Sequence, residues 1–154
     1  MKTKPTPMEQ ALAFLSRKDY TCLGMTAALT KKGYTETEIR VVVEKLTDWG
    51  YLNDRAYAAA EIERLKLDGK SRAFIRHRLE TAGVAPVIIA TEIERAYPQE
   101  EEEKILRAWW QKFRERLEGR APTGRERLKW ARKLLSAGFP SESVEACFEK
   151  DQDS

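Results

Sequence analysis

The chain has 154 residues, 42% of them hydrophobic and 34% charged, and carries a formal net charge of +3. That length holds one domain or a few small units that share cores, and no stretch is long and apolar enough to span a bilayer. Two cysteines, Cys22 and Cys147, are too few for a disulfide framework and are expected as buried free thiols.

Met1 to Pro7 is basic and contains proline, with no apolar signal core behind it. Residues 1–7 are therefore expected to form a disordered tail, and the protein to be cytoplasmic. From residue 8 onward the 3.6-residue period dominates, and no run alternates apolar and polar residues as a half-buried strand would.

A first unit is predicted over 8–52. It contains Leu29-x-x-x-Gly33-Tyr34, a capping box of Thr35 with Glu38, and a stripe of Ile39, Val42, Val43 and Leu46. A second unit over 53–98 opens on Asn53 as N-cap, with Asp54 at the positive end of the helix dipole. Ser71 is placed to cap its middle helix, Leu79-x-x-x-Gly83-Val84 to end that helix, and Pro86 to start the next. Pro98 closes the unit.

A third unit over 99–150 begins with acids, Glu100 to Glu103, and continues as a long stripe of Leu106, Trp109, Trp110, Phe113 and Leu117. Gly119 to Gly124 reads as a flexible loop. A stripe of Leu128, Ala131 and Leu135 follows, then Leu134-x-x-x-Gly138-Phe139. Residues 151–154 are expected as a tail.

The unit Leu-x-x-x-Gly-apolar thus occurs three times, with its glycines 50 and 55 residues apart. Apolar residues recur six and ten positions after each glycine: Ile39 and Val43, Ile89 and Ile93, Val144 and Phe148. Each glycine suits the left-handed residue that ends a helix, with the next apolar side chain folding back on the last turn. A period of this size signals a stacked array. The expected fold is all-α: three tandem three-helix repeats, each helix-turn-helix-like, in an elongated, curved array.

Reactive chemistry is sparse. His77, the one histidine, lies among Arg72, Arg76 and Arg78 and reads as a solvated surface residue. The glycines are isolated, so none forms a phosphate-cradling loop. No His/Cys/Asp group has metal-ligand spacing. Consecutive helical residues point in different directions, so Glu100 to Glu103 do not converge on one ion. The expectation is a non-enzyme with no catalytic residues, no metal and no cofactor.

Charge is segregated instead. Lys104 to Leu135 holds eleven Lys/Arg and three Glu, a balance of +8, and Arg64 to Arg78 holds six Lys/Arg and one Asp, a balance of +5. Ser136 to Ser154 holds five acids and one lysine, a balance of −4. Arg125, Lys129 and Arg132 share a helix face, as do Arg72 and Arg76, and Arg107 and Arg114. A solvated helix would normally intersperse acids, so these residues are candidate contacts to a polyanion or an acidic protein groove. Trp49, Trp109 and Trp110 fall on or beside apolar stripes and are expected in the core; Trp130 is open to either role.

The middle of the chain resembles the RecX family. Gly50-Tyr51-Leu52-Asn53-Asp54-Arg55-Ala56-Tyr57-Ala58 is similar to the family hallmark G-[YF]-L-[DN]-D-x-x-[FY]-A, and Gly69-Lys70 and Leu79-x-x-x-Gly83-Val84 follow at the family's spacing. Arg17-Lys18-Asp19-Tyr20-Thr21 resembles the entry to its first middle helix. The departures are Gly24 where glutamate is usual, Ala28 where lysine is common, and Arg78 where an acid often stands.

The resemblance implies three tandem three-helix repeats. It also implies a modulator of the RecA recombinase that binds the RecA–DNA filament and restrains ATP hydrolysis, strand exchange and the co-protease activity of the SOS response. On that reading the partners are RecA and its filament, with weak non-specific DNA binding, no membrane and a monomeric state. Arg72, Arg76, Arg107, Arg114, Arg125, Lys129 and Arg132 are then the candidate contacts. Gly33, Gly50, Tyr51, Leu52, Asn53, Asp54, Tyr57, Gly83 and Gly138 are structural, with Tyr51 to Tyr57 fixing the corner between the first two repeats. The alternative is a helix-turn-helix regulator acting on DNA directly. Its recognition helices (Thr37 to Leu46, Val87 to Ala96, Ser143 to Lys150) would be mostly apolar or acidic, which suits base readout poorly.

Overall fold

The computed structural model describes residues 3–152. Among them are nine helices and no strand: α1 (Pro7–Leu15), α2 (Cys22–Lys31), α3 (Glu36–Asp48), α4 (Asp54–Leu67), α5 (Arg72–Thr81), α6 (Pro86–Ala96), α7 (Gln99–Leu117), α8 (Gly124–Ser136) and α9 (Ser141–Gln152). They form three triplets, each closed on its own core. Ala11, Met25, Leu29, Ile39 and Leu46 are buried in the first, Ala58, Ile62, Ile75, Leu79 and Ile93 in the second, and Trp130, Leu134, Phe139 and Val144 in the third.

The recurring glycines end α2, α5 and α8 in one way. Gly33, Gly83 and Gly138 have φ of 89°, 87° and 93°. The next residue's N–H returns to the leucine carbonyl: Tyr34 to Leu29 (3.4 Å), Val84 to Leu79 (3.1 Å) and Phe139 to Leu134 (3.1 Å). The glycine N–H bonds one residue further on, to Thr30, Glu80 and Leu135, at 3.0 Å each. This is the Schellman ending, and both of its apolar members are buried in every copy. The same ending also closes α3 (Leu46, Gly50, Tyr51) and α4 (Leu65, Gly69, Lys70).

Caps start the helices where the sequence places them. Thr35 with Glu38 forms a capping box, and Asn53 and Ser71 accept the N–H of Ala56 and Phe74. Pro86 stands in the first turn of α6. Two further capping boxes, Thr6 with Glu9 and Thr123 with Glu126, start α1 and α8.

The structure differs from several expectations. Residues 1–7 are not loose from Lys4 onward: the Tyr34 hydroxyl donates to the Pro5 carbonyl at 2.5 Å and the Lys4 ammonium lies 4.2 Å from the Tyr34 ring. Gly124 belongs to α8, because the Thr123 capping box starts the helix there. Trp49 caps the C-terminus of α3, past the end of its apolar stripe, and is 58% exposed. Of the expected tail 151–154, α9 includes residues 151 and 152, and 153–154 lie outside the described residues, as do 1–2 of the N-terminal tail.

The triplets meet cap to cap. Thr21, the N-cap of α2, donates its hydroxyl to the carbonyl of Ala82, the C-cap of α5, at 2.6 Å. Ser71, the N-cap of α5, donates its N–H to the carbonyl of Ala137, the C-cap of α8, at 2.9 Å. The first N–H of each capped helix is met by an acid from the next triplet: Cys22 by Asp54 at 2.9 Å, Arg72 by Glu102 at 2.7 Å. The middle helices α8, α5 and α2 therefore follow one another, C-terminus to N-terminus, with their dipoles in favourable order. Orphan groups at both kinds of helix end are satisfied in one step.

Candidate functional site

The hallmark segment acts at the first junction. Leu52 is buried, Asn53 caps α4, Asp54 reaches back to α2, and Tyr57 packs half-buried on the second core. Tyr51 differs from the expectation: it is 62% exposed and takes no part in fixing that corner through its ring. As the residue after Gly50 it is held by its backbone N–H to Leu46, which frees the side chain.

The cationic candidates fall into separate places. Arg72 is largely consumed by structure. Its side chain is 20% exposed and its guanidinium bonds Glu94 at 3.0 Å. Arg76, one turn on, is exposed. Arg125, Lys129 and Arg132 are all exposed on α8, opposite its buried Trp130 and Leu134. Arg107 and Arg114 share one flank of α7, and Arg114 lines a cleft of about 660 Å³ with Arg120, Arg127 and Phe148. Arg120 is spent on Glu126 through two bonds, at 2.8 and 2.9 Å. Those bonds, with the Thr123 backbone N–H, hold the Glu126 carboxyl well below the usual carboxylate range, at about 2.

The other flank of α7 carries residues the sequence reading missed. Lys112 and Arg116 face Lys129 and Lys133 of α8 across a groove of about 440 Å³. Trp109, Phe113 and Trp130 line the same groove, and the Lys133 ammonium lies 5.0 Å from the Trp109 ring. The signal was present as two i, i+4 pairs flanking the aromatic stripe. It was hidden because Lys112 and Arg116 interrupt that stripe and read as solvation.

The aromatics create this groove. Trp130 is buried and stacks on Phe113 at 4.9 Å and 23°, and Trp110 meets Phe148 edge-on at 5.2 Å. Bulky rings stand between α7 and α8, and Leu117 is the one buried residue of α7. The two thiols do not suggest a reactive centre: burial pushes both Cys22 and Cys147 up from the ordinary thiol value. Among the described residues no His/Cys/Asp/Glu group could hold a metal ion, and no helix is long and apolar enough to cross a membrane.

Helical triplets joined cap to cap, with exposed cations gathered on the third, define an all-α tandem-repeat scaffold with a cationic face. The comparisons with known proteins specify it further. Residues 8–46 match the family model for the first three-helix domain of RecX. The regulatory protein RecX of Caldanaerobacter subterraneus is 31% identical over 135 residues, covering 88% of this chain and 65% of the relative. That of Trichlorobacter lovleyi is 26% identical and covers 91% of this chain and 92% of its own. The crystal structure of RecX from Lactobacillus salivarius superposes with a TM-score of 0.74 at 19% identity, over 94% of this chain and 93% of that one. The chain spans 65% and 51% of the length of the Caldanaerobacter and Geobacillus kaustophilus relatives. Over most of its length the chain is similar to proteins of the RecX family.

Proposed function

We propose that the protein is a non-enzymatic regulator that binds the RecA recombinase and its nucleoprotein filament. On this reading it restrains filament ATP hydrolysis, strand exchange and co-protease activity in recombination, repair and the SOS response. The observation that carries the reading is the exposed cationic face of α8, built on a repeat scaffold of this family. Arg125, Lys129 and Arg132 offer phosphate and carboxylate contacts that need no particular base sequence. Arg76, Arg107 and Arg114 extend the contact, and Arg72 contributes by tying α5 to α6 through Glu94 rather than by reaching a partner. The relatives' name, regulatory protein RecX, agrees with a regulatory role.

The test is RecA-dependent ATP hydrolysis on single-stranded DNA. Arg125→Glu, Lys129→Glu and Arg132→Glu combined should abolish inhibition while the far-ultraviolet circular dichroism stays helical. Full inhibition by the triple variant would refute the assignment of the face. A wild-type protein without effect on the recombinase would refute the function.

A further inference from the structure

We propose that Lys4 and Pro5 form a strap over a docking face for a second copy of this chain, and that the face accepts the N-terminus of α8 of that copy. The inference stands beside the filament reading rather than on it. Three glycine endings carry faces of one kind, and each is covered. Leu23 of α2 lies on Gly83, and Ser71 and Phe74 of α5 lie on Gly138. Both covers come from the start of the middle helix in the preceding triplet. Gly33 is covered by Lys4 instead, whose ammonium also lies 4.2 Å from the Tyr34 ring. The Tyr34 hydroxyl, donating to the Pro5 carbonyl, holds the strap in place. The carbonyl of Lys32, the C-cap of α2, accepts no hydrogen bond among the described residues. The matching carbonyls of Ala82 and Ala137 are both bonded across a junction.

The helix that fits is α8. A junction needs an N-cap donor for that carbonyl and an acid for the first helical N–H. At the first junction Thr21 accepts the Gly24 N–H and still donates its hydroxyl to Ala82. Thr123 accepts the Glu126 N–H in the same way, and its own hydroxyl proton has no acceptor among the described residues. Gly124 stands in α8 where Cys22 and Arg72 stand in α2 and α5, and its N–H is likewise unmet among the described residues. Cys22 and Arg72 are met by Asp54 and Glu102, from the first turns of α4 and α7. The first turn of α1 offers Glu9, whose bond to the Thr6 N–H is long, at 3.4 Å. The cation matches too. Arg125 holds the position in α8 that Leu23 holds in α2, so docking exchanges the Lys4 ammonium on Tyr34 for a guanidinium.

Such a contact is heterologous: one copy gives α8, the other takes it, and each keeps the complementary half free. Within the chain, covalent linkage gives the junctions a high effective concentration. Between chains the same bonds lack it, so the association is weak and a short strap is enough to block it.

The test is sedimentation velocity of the full chain over a range of protein concentrations, with no recombinase or nucleic acid present. The wild type should stay monomeric. Lys4→Ala with Tyr34→Phe frees the strap while keeping a ring in the first core, and should self-associate at least tenfold more tightly. Thr123→Asp, added to that variant, keeps an acceptor for the Glu126 N–H but has no hydroxyl proton to give, so it should return the chain to monomer. Thr123→Ser should not. The freed chain carrying Thr123→Asp can only accept and the wild type can only donate. Mixed, they should pair one to one and stop at dimers, although each alone is monomeric. Should Lys4→Ala with Tyr34→Phe lose helicity, Lys4→Glu, which sets an acid near Glu38, carries the same test. Freed chains that stay monomeric, association untouched by Thr123→Asp, or a mixture that does not pair would each overturn the proposal. So would a wild type that associates as tightly as the freed chain, since the strap would then block nothing. Each of these failures leaves inhibition of RecA to be judged by its own assay.

Discussion

The second and third triplets are built on one plan and pack differently. In the second, Ala58 faces a core of Ile62, Leu65, Ile75, Leu79, Val84, Ile89 and Ile93, all almost fully buried. Its polar groups are closed as well: the Tyr97 hydroxyl donates to the Lys70 carbonyl at 2.9 Å, and Glu92, 4% exposed in its side chain, bonds both Arg55 and Arg95. In the third, four half-buried aromatics, Trp109, Trp110, Phe113 and Phe148, surround the smaller buried set. Small aliphatic residues let helices close; large rings hold them apart and leave a groove between α7 and α8 that lysines and arginines can line. The difference in side-chain volume thus separates a closely packed second triplet from a third that carries a cationic groove.

The comparison is broken hardest at the two cores. Trp130→Ala should cost about 3–5 kcal/mol and Leu79→Ala about 2–5 kcal/mol in urea unfolding. Their patterns should differ more than their sizes. Stability in such arrays is a sum of units and neighbour contacts. Hydrogen exchange should show Trp130→Ala unprotecting α7 to α9 while α4 to α6 keep their protection. Leu79→Ala, in the triplet that contacts both others, should unprotect all three. Uniform loss from both variants would mean that the third triplet is not separable.

Much of this was legible in the sequence, and the reasons are local. Leu29, Gly33 and Tyr34 specify a helix ending through one backbone conformation and one side-chain contact, so the pattern identifies itself three times over. Thr35 with Glu38, Asn53, Ser71 and Pro86 are legible for the same reason. What stayed hidden depends on partners distant in sequence. Asp54 reads as a residue of its own helix dipole, yet it accepts the Cys22 N–H 32 residues away. Arg72 reads as a surface cation and is held by Glu94. Trp49 follows an apolar stripe and lies one residue beyond the helix that would have buried it. Lys112, Arg116 and Lys133 acquire meaning only when two helices face each other.

Glycines sharpen the comparison at an intermediate size. A side chain at Gly138 would strike Ser71 and Phe74 across the junction of the second and third triplets, and one at Gly83 would strike Leu23 across the first. At Gly50, φ is also positive, at 81°, but nothing lies within 4 Å. Gly50→Ala should therefore cost only the backbone term, about 1–2 kcal/mol. Gly138→Ala should exceed it by about 1 kcal/mol or more, through strain in a packed contact. Equal thermal shifts for the two would mean the junction is loose. Asp54→Ala, which leaves the Cys22 N–H without its charged acceptor, should cost about 1–2 kcal/mol. It should also raise exchange at the Cys22 amide first.

The smallest expected effect concerns how the two triplets start their middle helices. Helix α5 borrows its first acceptors from the third triplet, the Ala137 carbonyl and the Glu102 carboxylate. Helix α8 supplies its own: Thr123, Glu126 and, behind Glu126, Arg120. The Glu126 carboxyl titrates at about 2 because Arg120 and the Thr123 N–H favour its charged form. A depressed folded pKa contributes stability that is complete above the unfolded carboxylate value and is lost as pH falls toward 2. A carboxyl-detected NMR titration should place the Glu126 midpoint near 2. In Arg120→Ala the midpoint should move up toward the ordinary glutamate range, while the Thr123 bonds keep it somewhat below. The α8 amides nearest Thr123 should then lose protection at higher pH than in the wild type, and the α5 amides should not change. A midpoint unmoved by Arg120→Ala would show that the cap alone sets the charge of Glu126. It would also show that the Arg120–Glu126 pair is only a solvent-exposed contact.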